Sequence, residues 1–401
     1  MTRTAAEFQG ASNPLAPHYA RFRVADRLLL TGHSHQAWPD VAFEGQVAAW
    51  ADAAELVDEK WGRAEEQAER VRRGFTRLLG DRSGAIALGE NTHELVVRFL
   101  SALPLGKRSR IITTDAEFHT ARRQLDRLGE TGLVEVRKIP ADPSAAIGER
   151  ILATIDEHTA AVLLSSVLFT NAQIVPGLDA ILEGCRHAGA ELLIDAYHHL
   201  NVVPMSLAGD GLEDAFVVGG GYKYCELGEG NCFLRVPPGR EHLRPVITGW
   251  FSEFAHVTER ATGRVPYGEG AARWAGATYD PTSHYRAARV FDFFEEQGLT
   301  PDLLREISRH QVGLLAERFD ALDLDPALVA RDRSVPLERI GGFLALRTRH
   351  AGTLFERLRR RGLLTDFRGD MLRLGPAPYL SDEQLEAAME ILGDEAREIS
   401  A

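Results

Sequence analysis

Short apolar runs recur through the first two-thirds of the chain, separated by stretches with helical spacing. The runs cover 85–88, 110–114, 134–139, 161–165, 192–195, 216–219 and 232–236. Most are apolar throughout rather than alternating. That pattern predicts strands covered on both faces, hence a mainly parallel sheet with helices as crossovers. Ahead of them, 43–79 has few helix breakers and spaces Val47, Trp50, Ala54, Val57 and Trp61 for a long helix, with room for an interruption. From about 283 the pattern changes. Amphipathic helices predicted over 283–297, 300–322, 351–361 and 382–399 surround strands at 342–347, 363–367 and 371–374. The expected organisation is an N-terminal segment and helix (1–65), a large α/β domain (66–282) and a small C-terminal α/β domain (283–401). There is no internal repeat and no low-complexity segment.

The 401 residues exceed what one ordinary core organises, consistent with a large and a smaller domain. At 44% hydrophobic and 26% charged the chain reads as soluble and globular. No apolar run approaches the roughly 20 residues that cross a bilayer, and the opening MTRTAAEFQG lacks a signal peptide's apolar stretch. Three cysteines, Cys185, Cys225 and Cys232, lack metal-site spacing and suit a reduced, cytoplasmic setting. A net charge of −12 argues against a general nucleic-acid partner.

Ligands of doubly wound sheets bind beyond the carboxyl ends of the strands, so the polar residues there are the candidates. LLIDAYHHL ends an apolar run in Asp195. Lys223 follows 28 residues later, inside VVGGGYKYCELGEG, with one crossover and one strand between them. An aspartate and a lysine at neighbouring strand ends suit pyridoxal 5'-phosphate (PLP). The lysine forms a Schiff base with the aldehyde, and the aspartate keeps the ring nitrogen protonated. The glycines around Lys223 are expected to allow close backbone approach to the cofactor and to supply turns. The ordinary alternative is an exposed lysine in a glycine-rich loop. In ALGENTHELVVRFL, Asn91 and Glu94 have capping-box spacing, and the helix N-terminus with Thr92 is an anion site as well as an ordinary cap. No Walker loop or GxGxxG is present, which disfavours nucleotide cofactors. Phe118, in EFHTARRQ, is either a ring-stacking residue or core. Arg373, inside an apolar strand, needs a partner: a substrate carboxylate or an internal salt bridge.

These residues together carry a resemblance to kynureninase, in the class V branch of the aspartate-aminotransferase-like PLP enzymes. It extends from about 27 to 395. LLLTGHSHQAWP resembles the family's opening strand and Gly-Asn-Ser-Leu-Gly turn, with His33 in place of Asn. EFHT is similar to its Phe-Pro-Thr-Asp segment, keeping Thr120 but with Ala121 for Asp. LLSSVLFTNAQIVP, DAYH (Asp195 and His198), GYKY, ITGWFS and TDFRGDMLRLGPAPYLS match further motifs in order. The resemblance implies the PLP-dependent transferase fold, with a mainly parallel seven-stranded sheet in the large domain and a small C-terminal α/β domain.

It also implies roles. Lys223 would carry the Schiff base and shuttle the α-proton, and Asp195, with His198 adjoining, would pair with the ring nitrogen. Tyr222, Asn91 and Thr92 would hold phosphate, joined by Trp250 and Thr278 from the partner of a homodimer with composite sites. Arg373 would bind the substrate α-carboxylate. The family's Asn-Pro-Pro is here replaced around 277–280, so Thr278 and Tyr279, with His33 and His35, mark where substrate preference departs from the family.

The leading reading is a kynureninase-like hydrolase that cleaves the Cβ–Cγ bond of a kynurenine-type amino acid to alanine and an aryl acid. A PLP-dependent class V aminotransferase or β-lyase is the alternative. A cysteine desulfurase is disfavoured because no cysteine follows Cys232. His33-Ser-His35 with His198-His199 keeps a metal-dependent hydrolase in view, but the helical C-terminal third does not continue a barrel. A PLP-fold protein without catalysis is the remaining reading; the presence of Lys223, Asp195 and Arg373 argues against it.

Overall fold

A computed structural model describes residues 3–256 and 263–400. In chain order, β1 (Leu28–Leu29) precedes the helices α1 (Val41–Leu56) and α2 (Lys60–Leu78), which both pack on the helix that begins at Thr282. Then come β2 (Ala85–Gly89), α3 (Thr92–Ala102), β3 (Arg110–Thr114), α4 (His119–Glu130), β4 (Glu135–Ile139), α5 (Ile147–Leu152), β5 (Thr159–Ser165), α6 (Leu178–Ala188), β6 (Glu191–Asp195), β7 (Phe216–Gly220) and β8 (Cys232–Val236). The C-terminal part holds α7 (Thr282–Glu296), α8 (Pro301–Ala321), β9 (Ala330–Arg331), β10 (Leu344–Arg347), α9 (Ala351–Arg360), β11 (Leu363–Leu364), β12 (Asp366–Arg368), β13 (Met371–Leu374) and α10 (Asp382–Ser400). The predicted long helix breaks at Val57, whose φ of 52° no helix interior accommodates.

The central sheet has seven strands in the order β2-β8-β7-β6-β5-β3-β4, and only β8 runs against the others. Its strands are buried on both sides because alternate residues serve two cores. In β5, Val162 and Leu164 join the cluster that includes α2 and α6, while Ala161 and Leu163 face α3 and α4. Both sets lose their contact with water, and that burial drives the sheet's assembly. β4 is the exception: an edge strand with Arg137 and Lys138 exposed. Such charges discourage edge-to-edge pairing.

β10, β12 and β13 form an antiparallel sheet with β9, packed by α9. The N-terminal segment joins this part: β1 pairs with β11, and Gly32 donates to the Gly375 carbonyl at 2.8 Å. A Cβ on Gly32 would lie 2.4 Å from the Pro376 carbonyl oxygen, so only glycine permits this approach. The approach carries His33 to the strand that holds Arg373. Among the described residues, no helix is long and apolar enough to cross a membrane.

One buried ion pair ties β8 to the turn between α2 and β2. Arg235 on β8 donates from Nε and Nη2 to Asp81 at 2.8 and 2.9 Å, and from Nη1 to the Glu213 and Ala215 carbonyls. Both side chains are essentially inaccessible. Arg235→Ala would strand the Asp81 charge and is expected to cost about 3–5 kcal/mol, measurable as a lowered urea midpoint at unchanged slope.

Candidate active site

The carboxyl ends of β6 and β7 meet a cavity of about 390 Å³, within the size range of small-molecule sites. Asp195 is the last residue of β6, and Lys223 lies three residues beyond the end of β7. Asn91, Thr92, Phe118, His198 and Tyr222 also line the cavity, as do Glu90, His93, Thr120, Tyr197, Glu229, Gly230 and Cys232. Seven of the sequence-derived candidates are thus brought together from β6, the loop after β7 and the starts of α3 and α4.

Lys223 is buried, its Nζ 2.8 Å from His198 Nε2. Three rings surround the amine, with centroids at 4.7 Å (Tyr197), 5.1 Å (Phe118) and 5.6 Å (Tyr222). Burial pushes its pKa down to about 7, against the opposing pull of the Asp195 charge. Burial, with Lys223 next, also holds His198 well below the ordinary histidine range, so a neutral imidazole is hydrogen-bonded to the amine. Asp195 accepts a hydrogen bond from the Tyr197 backbone N–H at 2.9 Å, and burial raises its pKa. The pair is therefore a lysine close to neutrality and a carboxyl equipped to bind a cation inside the cavity.

The glycine run has a different purpose from the one expected. Gly219, Gly220 and Gly221 do not have positive φ. They are small because protein packs against them: a Cβ would meet Leu200 at 2.7 Å, Cys232 Sγ at 2.5 Å and Leu227 at 2.6 Å, respectively. The left-handed turn geometry is supplied farther on, by Gly228 and Gly230. At α3, Asn91 Oδ1 accepts from the Glu94 N–H at 2.9 Å, the expected cap. The reciprocal half of a capping box is missing because the Glu94 carboxylate pairs with Arg98 at 2.9 Å. Thr92 and His93, the first residues of α3, line the cavity, which places that helix N-terminus at its wall.

The remaining candidates lie outside the cavity lining of a single chain. Arg373 is buried, donating to the Phe169 carbonyl and to Asp366, so its internal salt bridge is made. Asp366 also accepts from Arg368 at 2.6 Å, and it lies 3.6 Å from His33 Nε2, beyond hydrogen-bond range. His33 is fully buried against Phe343, and burial lowers its pKa to about 4. His35 instead stacks on Tyr222 at 4.9 Å, largely exposed, so the two histidines do not converge. Among the described residues there is no group of three or more His, Cys, Asp or Glu placed to hold a metal. Tyr279 OH is hydrogen-bonded to His284 Nε2 at 2.6 Å. Trp250 Nε1 donates to Thr278 Oγ1 at 3.2 Å on the exposed surface.

Sequence reasoning missed Tyr197, Cys232 and the buried Glu117. Tyr197 was detectable, since Asp195-x-Tyr places both at one strand end; Cys232 needed the antiparallel pairing of β7 with β8.

Residues 304–392 match the kynureninase C-terminal domain family. No curated protein matches the sequence. Among solved structures, a mutant of C-DES with glycine covalently linked to its PLP cofactor superposes with a TM-score of 0.82 at 16% identity, covering 95% of this chain and 100% of that one. C-DES is described elsewhere as a cystine C–S lyase. A cysteine desulfurase from Thermococcus onnurineus NA1 gives a TM-score of 0.78 at 14% identity (97% and 100% covered). Cysteine desulfurase CsdA from Escherichia coli gives 0.76 at 14%, with both chains covered in full. The chain has the aspartate-aminotransferase-like fold of PLP-dependent enzymes, as the sequence predicted.

Proposed function

We propose that this chain is a PLP-dependent class V enzyme that hydrolyses the Cβ–Cγ bond of a kynurenine-type amino acid, releasing alanine and an aryl acid. The observation that carries the cofactor is the buried Lys223 amine, pushed down to about 7, sharing one cavity with the Asp195 carboxyl. The rest of the cavity fits the same group. Phe118 offers a ring face, Tyr222 a hydroxyl, and α3 its N-terminal N–H groups for a phosphate, with Asn91 and Thr92 at that terminus. When bound, PLP supplies an aldehyde for the substrate amine and a ring that takes up the electrons of the α-carbon.

The chain's own residues supply the rest. The Lys223 amine, its pKa pushed down by burial, would take and return the α-proton. Asp195 holds the ring nitrogen protonated, and neutral His198 orients the amine. Burial pushes Tyr222 up to about 12, so it stays a hydroxyl donor. Arg373 is the candidate for the substrate carboxylate, with His33 and Tyr279 as candidates for preference among substrates. For Arg373 to serve, the carboxylate must compete with Asp366 and the Phe169 carbonyl, or use its Nε, which has no hydrogen-bond partner among the described residues.

The kynureninase C-terminal match spans Arg373 and favours hydrolysis. A β-lyase is the second reading, favoured by the likeness in fold to a cystine C–S lyase. A desulfurase needs a reactive thiolate. Cys185, Cys225 and Cys232 are all buried, which raises each thiol, to about 12 for Cys185 and Cys232. Incubation with kynurenine and 3-hydroxykynurenine is expected to yield alanine with anthranilate or its 3-hydroxy form by chromatography. Pyruvate and ammonia from other amino acids, with neither aryl acid formed, would replace hydrolysis by elimination.

The same reading includes a homodimer with composite sites and a cytoplasmic setting. Phe43, Val47 and Trp50 share one face of α1, with Trp50 80% exposed, while Ala42, Gly45 and Ala49 bury the other. Val246, Ile247, Trp250 and Phe254 add a second exposed apolar group, one that contains the proposed phosphate ligand of the neighbour. Trp50→Glu is expected to shift sedimentation toward monomer and to loosen cofactor binding. Wild-type protein that sediments as a monomer with full cofactor occupancy contradicts the composite site.

A further inference from the structure

Glu117 is buried just beyond the end of β3, two strands from Asp195 on β6 with β5 between them, and outside the cavity lining. Thr114 Oγ1 and Ser165 Oγ each lie 2.6 Å from one of its carboxylate oxygens. The direction of the first bond is defined. Thr114 Oγ1 already accepts from the Ala116 N–H at 3.3 Å, so its own hydrogen is free to point at Glu117. Ser165 is the register partner of Asp195 on the adjacent parallel strand, so both side chains project from the same face of the sheet. Two hydroxyl donors, one to each oxygen, form the environment of an ionised carboxylate. Among the described residues no cation is bonded to it; Ser165 links it to the register position of Asp195, whose charge acts on it.

We propose that Glu117 is a positioning residue for the cofactor end of the cavity: its carboxylate, anchored by Thr114 and Ser165, provides a second negative charge behind Asp195 that favours cationic forms of the bound cofactor. The inference rests on the PLP reading. A lone carboxylate at a strand end is a weak base, and the ring nitrogen it faces must stay protonated for the carbanion to be stabilised. A second carboxylate close by makes Asp195 more basic and strengthens its hold on that proton. Burial pushes Glu117 up to about 7, with the Asp195 charge acting in the same direction. The Ser165 and Thr114 hydroxyls oppose the push of burial, and a cation opposite Asp195 offsets the repulsion, so cofactor and Glu117 charge support each other.

The test reads the holoenzyme's absorbance against pH. Glu117→Gln keeps the shape and removes the charge. The pH at which the bound cofactor's band changes is expected to fall by about half a unit to one unit. Ser165→Ala, which removes one anchor, is expected to shift it in the same direction by less. Glu117→Asp is expected to recover part of the wild-type midpoint. A purely structural Glu117 would lower the melting temperature of Glu117→Gln and leave the midpoint in place; that result overturns the proposal. If Glu117→Gln does not fold, the Ser165→Ala midpoint decides by the same criterion. Failure of the PLP reading looks different: wild-type protein would show no cofactor band and would acquire none on adding PLP.

Discussion

Lys223→Ala is expected to remove covalent cofactor attachment and to lower turnover on the order of 10²–10⁴-fold, the scale on which a positioned acid–base group contributes. The amine sits among Tyr197, Phe118 and Tyr222, 2.8 Å from His198 Nε2, and no other lysine lines the cavity. Borohydride reduction and peptide mapping should label Lys223 in the wild type and nothing in the variant; a label on another lysine refutes the assignment. A stability signature accompanies this. Lysine in the unfolded chain titrates near 10.4, whereas burial holds Lys223 at about 7 in the folded protein. Between those values the unfolded state binds the extra proton. Lys223 therefore makes the cofactor-free protein less stable as pH falls from about 10 to 7, and more stable as pH rises through that window. In Lys223→Ala this component of the pH dependence should vanish, which paired melts across the window would detect.

Asp195→Asn is expected to retain part of the cofactor binding and to lose about 10²–10³-fold in turnover, as when one preorganised electrostatic contact is deleted. The amide keeps the size of the carboxylate and can still accept from the Tyr197 N–H, so the strand end should hold its shape. The lost property is negative charge opposite the ring nitrogen. The variant should also leave Lys223 without the charge that raises its pKa, so the amine titrates lower still. Turnover within a few-fold of wild type would make Asp195 a strand-end cap and no more.

Much of the fold could be read directly from local patterns. The apolar runs became strands within a residue or two at most ends, for instance β3 at Arg110–Thr114 and β8 at Cys232–Val236. Strands covered on both faces must be apolar throughout, and that requirement is written in consecutive residues. Asp195 and Lys223 were legible for a related reason: the residues that follow an apolar strand are carried to the edge where ligands bind. The Asn91 cap depends on a residue three positions away and was likewise visible.

What depended on distant segments was not. Nothing in VVGGGYKYCELGEG reveals that Gly219 and Gly220 are pressed by Leu200 and Cys232; the glycines read as room for a ligand until those neighbours were in place. Nothing in EFHT singled out Glu117; β3 and β5 bring Thr114 and Ser165 to its two oxygens. The sequence showed that Arg373 needed a partner, but only the hairpin of β12 and β13 set Asp366 beside it. The sequence by itself determined the elements, the cofactor chemistry they suggest and the strand ends where it would occur, because these follow from spacing along one chain. Tertiary structure alone decided which polar groups face the cavity and which are already paired, because a side chain's charge and free hydrogen bonds depend on the surfaces that fold against it.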